Sequence, residues 1–153
     1  EKLKLLEDNR VKSIDTGFKV LKLDTSNFKE WDNKPQNLFE QLEKLKENTK
    51  AGRTQDDILY EIILKSGLSL SEKIETKELN RKKIFSIMSG FLIICLEKEL
   101  TLEFIRAIAE LKPAKVVFLD IGFYNNDQLK TNAVQIMKSV KYDGENSIEC
   151  KTV

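Results

Sequence analysis

Val116-Val117-Phe118-Leu119, followed by Asp120-Ile121-Gly122-Phe123-Tyr124-Asn125-Asn126-Asp127 and then Gln128-Leu129-Lys130-Thr131-Asn132-Ala133-Val134-Gln135-Ile136-Met137-Lys138, is the stretch that decides the fold. Its opening run is apolar without alternation, as in a strand covered on both faces. The run breaks into a polar loop, and Asn126 or Asp127 can then cap a helix reaching about residue 140, with Leu129, Ala133, Ile136, Met137 and Val140 on one stripe. A buried strand that hands over to a helix through a polar loop is half of a βαβ unit.

The neighbouring segments extend that unit. Upstream, Thr101 can cap a helix with Leu102, Ile105, Ile108 and Ala109 inward, ending near Lys112-Pro113 because proline restricts the residue before it. Downstream, residues 146–153 return as a strand. Residues 73–96 change to period two and β-branched runs, with strands at 73–79, 83–88 and 91–96 joined by turns at Asn80-Arg81 and Ser89-Gly90. Together these predict an α/β fold: a mixed sheet in which an antiparallel meander continues into parallel βαβ crossovers of right-handed sense.

Nearer the start, Thr54 and Asp57 have capping-box spacing before a helix whose Ile58, Leu59, Ile62 and Ile63 face inward and which Gly67 ends. A further helix is expected after Pro35, with Leu38, Leu42 and Leu45 as its single apolar stripe. Residues 18–23 alternate loosely enough for a half-buried strand, and Asp24-Thr25-Ser26-Asn27 supplies turn chemistry. Phe28 and Trp31 read as core anchors. The domain is placed at 17–153, with 1–16 as a helical stub belonging to a preceding domain.

At 153 residues the chain is long enough for one core without disulfides or metals. Its 26 Lys+Arg and 25 Asp+Glu nearly cancel, so any DNA contact must come from a local patch. There is no His, which removes Ser-His-Asp and Cys-His catalysis and the commonest nitrogen ligand for metals. Two well-separated cysteines suit a reducing compartment, and Cys95, inside Leu92-Ile93-Ile94-Cys95-Leu96, reads as core. No apolar run is long enough to span a bilayer, so a cytoplasmic location and no membrane partner are expected.

The loop at the carboxyl end of the 115–120 strand is the first place to look for a site, since ligands and partners of α/β sheets gather there. Asp120, Asn125, Asn126, Asp127, Lys130 and Asn132 are the candidate partner or anion contacts, Lys130 foremost. The plainer reading is a capped helix with a solvated face. An aspartate nucleophile at Asp120, of the kind phosphatases use, would need a second aspartate at the position of Gly122. Arg81, Lys82 and Lys83, at the meander turn, are the candidate DNA-backbone contact, set against an edge strand protected by lysines.

A resemblance adds to these readings. Phe123 through Lys138, Gly17-Phe-Lys-Val-Leu-Lys-Leu-Asp-Thr-Ser-Asn-Phe-Lys-Glu-Trp31, Arg53-Thr-Gln-Asp-Asp-Ile-Leu-Tyr-Glu-Ile-Ile-Leu-Lys-Ser-Gly67 and Ile94-Cys-Leu-Glu-Lys-Glu-Leu-Thr-Leu-Glu-Phe-Ile-Arg-Ala-Ile-Ala-Glu-Leu-Lys-Pro113 resemble, in order, the C-terminal region of the modification (Mod) subunit of type III restriction-modification systems. The chain departs from that pattern at Ile121, where an acidic residue is usual, and at Ser89-Gly90, where Asp-Gly is usual. The resemblance implies a parent that methylates adenine N6 in a specific DNA site using S-adenosylmethionine. Its Asp-Pro-Pro-Tyr-type motif and cofactor loop would lie upstream; with Pro35 and Pro113 as the only prolines, no Pro-Pro pair is present here.

The implied function is therefore a non-catalytic assembly domain, with no cofactor or metal of its own. Its partners would be the upstream methyltransferase domain, a second modification subunit and the restriction subunit, with DNA reached through the parent. The alternative is an independent small-ligand or anion-binding α/β domain using the loop of residues 120–127. A third possibility is a DNA-binding module built on Arg81, Lys82 and Lys83.

Overall fold

The computed structural model describes residues 18–29, 49–124 and 126–153. The expected stub at 1–16, the helix carrying Leu38, Leu42 and Leu45, Trp31 and Asn125 lie outside the described residues.

The first helix, α1 (Gln55–Lys65), begins where the spacing predicts. Thr54 Oγ1 accepts from the Asp57 amide at 3.2 Å and Asp57 Oδ2 accepts from the Thr54 amide at 2.8 Å, completing the capping box with the shorter acid. Its end is a Schellman turn: Gly67, at φ 76°, donates to Leu64 O, and Leu68 N donates to Ile63 O. Ile58, Leu59, Ile62 and Ile63 are buried.

The meander follows as β1 (Ile74–Leu79), β2 (Lys82–Ile87) and β3 (Leu92–Cys95), each pair antiparallel. Asn80 and Arg81 have φ 50° and 62°, the two left-handed residues of a tight hairpin whose twist matches its strands. The β2–β3 connection takes four residues, Met88 to Phe91, instead of two. Met88, Ser89 and Gly90 form a short 3₁₀ segment, and all three have positive φ.

Helix α2 (Leu102–Glu110) starts at Thr101, whose side chain accepts from the Phe104 amide, and leads to β4 (Lys115–Phe118). The strand ends earlier than its apolar run suggests, because Asp120–Phe123 turns into a 3₁₀ segment. Helix α3 (Asp127–Ser139) and β5 (Glu149–Thr152) complete the chain.

The strands lie in sequence order, β1-β2-β3-β4-β5, with β3, β4 and β5 parallel. Two crossovers that step the same way put their helices on one face, as expected when both share a hand. On that face Phe104, Ile105 and Ile108 of α2 and Ala133 and Met137 of α3 pack over Ile84, Ile93, Val116 and Phe118. On the other, Ile58, Leu59, Ile62 and Ile63 of α1 cover Phe85, Ile87, Leu92, Ile94 and Val117. The central strands are buried on both sides, which is why their sequence is an unbroken apolar run. Cys95 lies in the first of these cores.

One expected element is absent. Residues 18–23 form no strand; they run beside α1, where Lys19 Nζ donates to the Tyr60 hydroxyl at 2.9 Å, and leave Phe18, Val20 and Leu23 in solvent. Alternation makes a strand only where a neighbouring strand accepts its backbone, and residues 18–23 pair with neither edge strand of the sheet. Among the described residues, no helix is long and apolar enough to cross a membrane.

Candidate functional site at the carboxyl edge of the parallel strands

The carboxyl ends of β3 and β4, the end of β5 and the β1–β2 hairpin all meet at one edge of the sheet, and hydrogen bonds tie them together. The Lys83 amide donates to Glu97 Oε1 at 2.9 Å, linking the hairpin to the loop after β3. The Leu100 amide donates to Gly122 O at 2.8 Å, and Tyr124 Oη donates to Glu99 Oε1 at 3.4 Å, linking that loop to the turn after β4. The Asp120 amide donates to Val153 O at 2.8 Å, which ties in the last strand.

Gly122 makes this convergence possible. A Cβ there would lie 2.7 Å from Glu97 O and 3.0 Å from Leu100 Cγ. The absence of a second aspartate at this position has a packing cause, since no side chain fits between the two loops. Tyr124, the next residue but one, is left-handed (φ 51°) and 67% exposed. An exposed aromatic ring in that conformation carries no periodic signature, and the sequence reading passed over it.

The residues singled out in the loop are indeed neighbours, but they satisfy one another. Asp120 and Lys130 form an ion pair with both side chains roughly half exposed. Lys130, expected to await an external anion, thus faces a carboxylate of its own chain. Asn126 Oδ1 accepts from the Leu129 amide at 2.9 Å as the N-cap of α3, and Asp127 stands in the first turn, where a negative charge is stabilised by the positive end of the helix dipole. Asn132 Oδ1 accepts from Gln128 Nε2 at 3.1 Å. Farther along the helix, Lys130, Thr131, Val134, Gln135 and Lys138 line an open concavity of about 430 Å³.

Of the hairpin cations, Lys83 has its Nζ 4.9 Å from the Phe85 ring centroid and pairs in register with Glu78.

Neither thiol is poised to react. Burial pushes Cys95 up to about 12 and Cys150 up to about 11, so both remain protonated near neutrality. Among the described residues, no group of three or more His, Cys, Asp or Glu is placed to hold a metal ion.

A second polar cluster, on the opposite side of the sheet, escaped the sequence reading. Glu61 of α1 accepts from Ser26 Oγ and from the Asn27 amide, both at 2.6 Å, and pairs with Lys65 at 2.7 Å. Burial opposes ionisation of this carboxyl, and the donors together hold it below its ordinary value. Arg53 reaches Asp24 Oδ2 at 2.7 Å and Thr25 Oγ1 at 3.1 Å. These partners lie roughly thirty residues apart in the chain, so no local spacing announces them.

No protein-family model matches the chain, and no curated protein matches it.

Proposed function

We propose that the chain is an assembly module without catalytic chemistry of its own, serving as the C-terminal domain of a type III modification subunit. The observation that carries the assembly reading is the segment of residues 18–23. It exposes Phe18 at 86%, Val20 at 81% and Leu23 at 89%, with Leu64 of α1 also half exposed. Large apolar side chains exposed together in one short segment point to a place where another protein sits. The carboxyl edge agrees with that reading, since Asp120 pairs with Lys130, Asn126 caps α3, and Tyr124 presents an exposed aromatic ring, a residue favoured at protein interfaces.

The identity of the parent rests on the resemblance. On that reading the upstream domain binds S-adenosylmethionine and methylates adenine N6, DNA is met through the parent, and a second modification subunit and the restriction subunit complete the assembly in the cytoplasm. This domain braces the catalytic one through its apolar segment.

Size-exclusion chromatography with light scattering tests the reading, using the chain alone and mixed with the upstream methyltransferase domain. Co-elution is expected, and it should be lost in Phe18→Asp/Val20→Asp. Titration calorimetry of the chain with S-adenosylmethionine should show no heat of binding; measurable binding by the chain alone overturns the proposal.

A further inference from the structure

Residues 24–28 cross α1 as a strap, and the chemistry that fastens them differs in kind from that of the sheet. Among the described residues, the strap makes one isolated bridge, Phe28 to Thr49, and one backbone bond beyond itself, from Lys50 N to Asn27 O at 2.8 Å. Its other fastenings are side chains of α1 and of the segment leading into it. Glu61 gathers Ser26 Oγ, the Asn27 amide and Lys65 around a carboxylate only 12% exposed. Asn27 Nδ2 donates to Asp57 O at 2.9 Å, and Arg53 holds Asp24 and Thr25. Phe28, beneath Lys65 at 5.0 Å, is the strap's apolar plug.

We propose that residues 24–28 are a latch with Glu61 as its catch: when the catch releases, the strap opens as a unit and carries residues 18–23 off α1, while the five-stranded sheet stays folded. A segment fastened mainly by charge-assisted hydrogen bonds at one edge opens separately from a core built by burial. Closed, the latch fixes where Phe18 and Val20 point; open, it turns them into the end of a tether. The inference does not depend on which partner meets that segment.

Hydrogen exchange on the 153-residue chain, read residue by residue, decides the matter. In the native protein the amides of Asn27, Phe28 and Lys50 should exchange faster than those of Ile93, Ile94, Val116 and Val117. In Glu61→Ala the strap amides should speed up by roughly 10-fold or more, because several hydrogen bonds to one charge are lost together, while the β3 and β4 amides keep their rates. Glu61→Gln, which retains an acceptor for the Asn27 amide, should fall between. The proposal is overturned if strap and sheet exchange together in the native protein, if Glu61→Ala leaves the strap rates unchanged, or if that variant unfolds or speeds both regions alike.

Discussion

Gly122 and Glu97 approach so closely that a single methyl group on the first would come within 2.7 Å of the carbonyl oxygen of the second. Neither loop can yield freely, because Leu100 N is bonded to Gly122 O from the same side. Gly122→Ala should therefore destabilise the fold by about 1–3 kcal/mol, the usual cost of overpacking. A shifted midpoint in urea denaturation at unchanged slope would report it; an unshifted midpoint would mean that the two loops separate easily.

Ser86 presents the opposite case. It is 2% exposed in β2, and its hydroxyl has no hydrogen-bond partner among the described residues. A buried hydroxyl that bonds to nothing destabilises the folded state. Ser86→Ala is expected to leave stability unchanged or raise it by up to about 1 kcal/mol, measured by thermal and chemical denaturation. A clear loss of stability would reveal a partner for that hydroxyl, such as a bound water.

The Asp120–Lys130 pair should matter little for stability and more for surface chemistry. Exposed pairs contribute roughly 0.2–1 kcal/mol and are screened by salt. A double-mutant cycle on Asp120→Asn and Lys130→Gln should give a coupling in that range that shrinks toward zero in high salt. A coupling several times larger would indicate a pair far better shielded from water than its exposure implies.

Asp143 should titrate at unusually low pH. Its carboxylate accepts from the Asn146 side chain at 2.7 Å, from the Asn146 amide at 2.6 Å and from the Glu145 amide at 3.0 Å, which together lower it to about 2. The folded value is depressed, so the turn's stabilisation is present above the unfolded carboxyl range near ~4 and is lost as pH falls through about 2. Carboxyl carbon chemical shifts followed against pH would give the midpoint directly. Asn146→Ala removes the side-chain donor and should move that midpoint upward.

Much of the fold was legible because its signals are local. Asn80-Arg81 reads as a hairpin turn, Thr54 and Thr101 read as caps, 91–96 reads as a meander strand and 115–120 as a strand covered on both sides, each from a few adjacent residues. Residues 18–23 misled because alternation records a preference for extended backbone and does not record whether a neighbouring strand exists. The 115–120 strand was drawn too long for a related reason: Leu119 remains buried after the ladder ends.

The candidate site was legible in position and less so in state. Residues at a strand's end followed by a cap must lie together, so Asp120, Asn126 and Asp127 could be placed. That Lys130 turns back to Asp120 depends on how α3 is set against the 3₁₀ segment, and that setting comes from core packing in which Phe123 shares one buried cluster with Ala133 and Met137 of α3. Glu61 and its distant partners were invisible for the same reason.

Because the strands are laid down in the order in which they are translated, each can join the growing structure as soon as it is synthesised, without waiting for a distant segment. The two antiparallel pairings close short stretches of chain, which favours their early formation, whereas the parallel pairings of Leu92 with Lys115 and of Lys115 with Glu149 close longer ones. Synthesis on the ribosome would then be protected at each stage, with exposure of unfinished edges confined to the most recent strand.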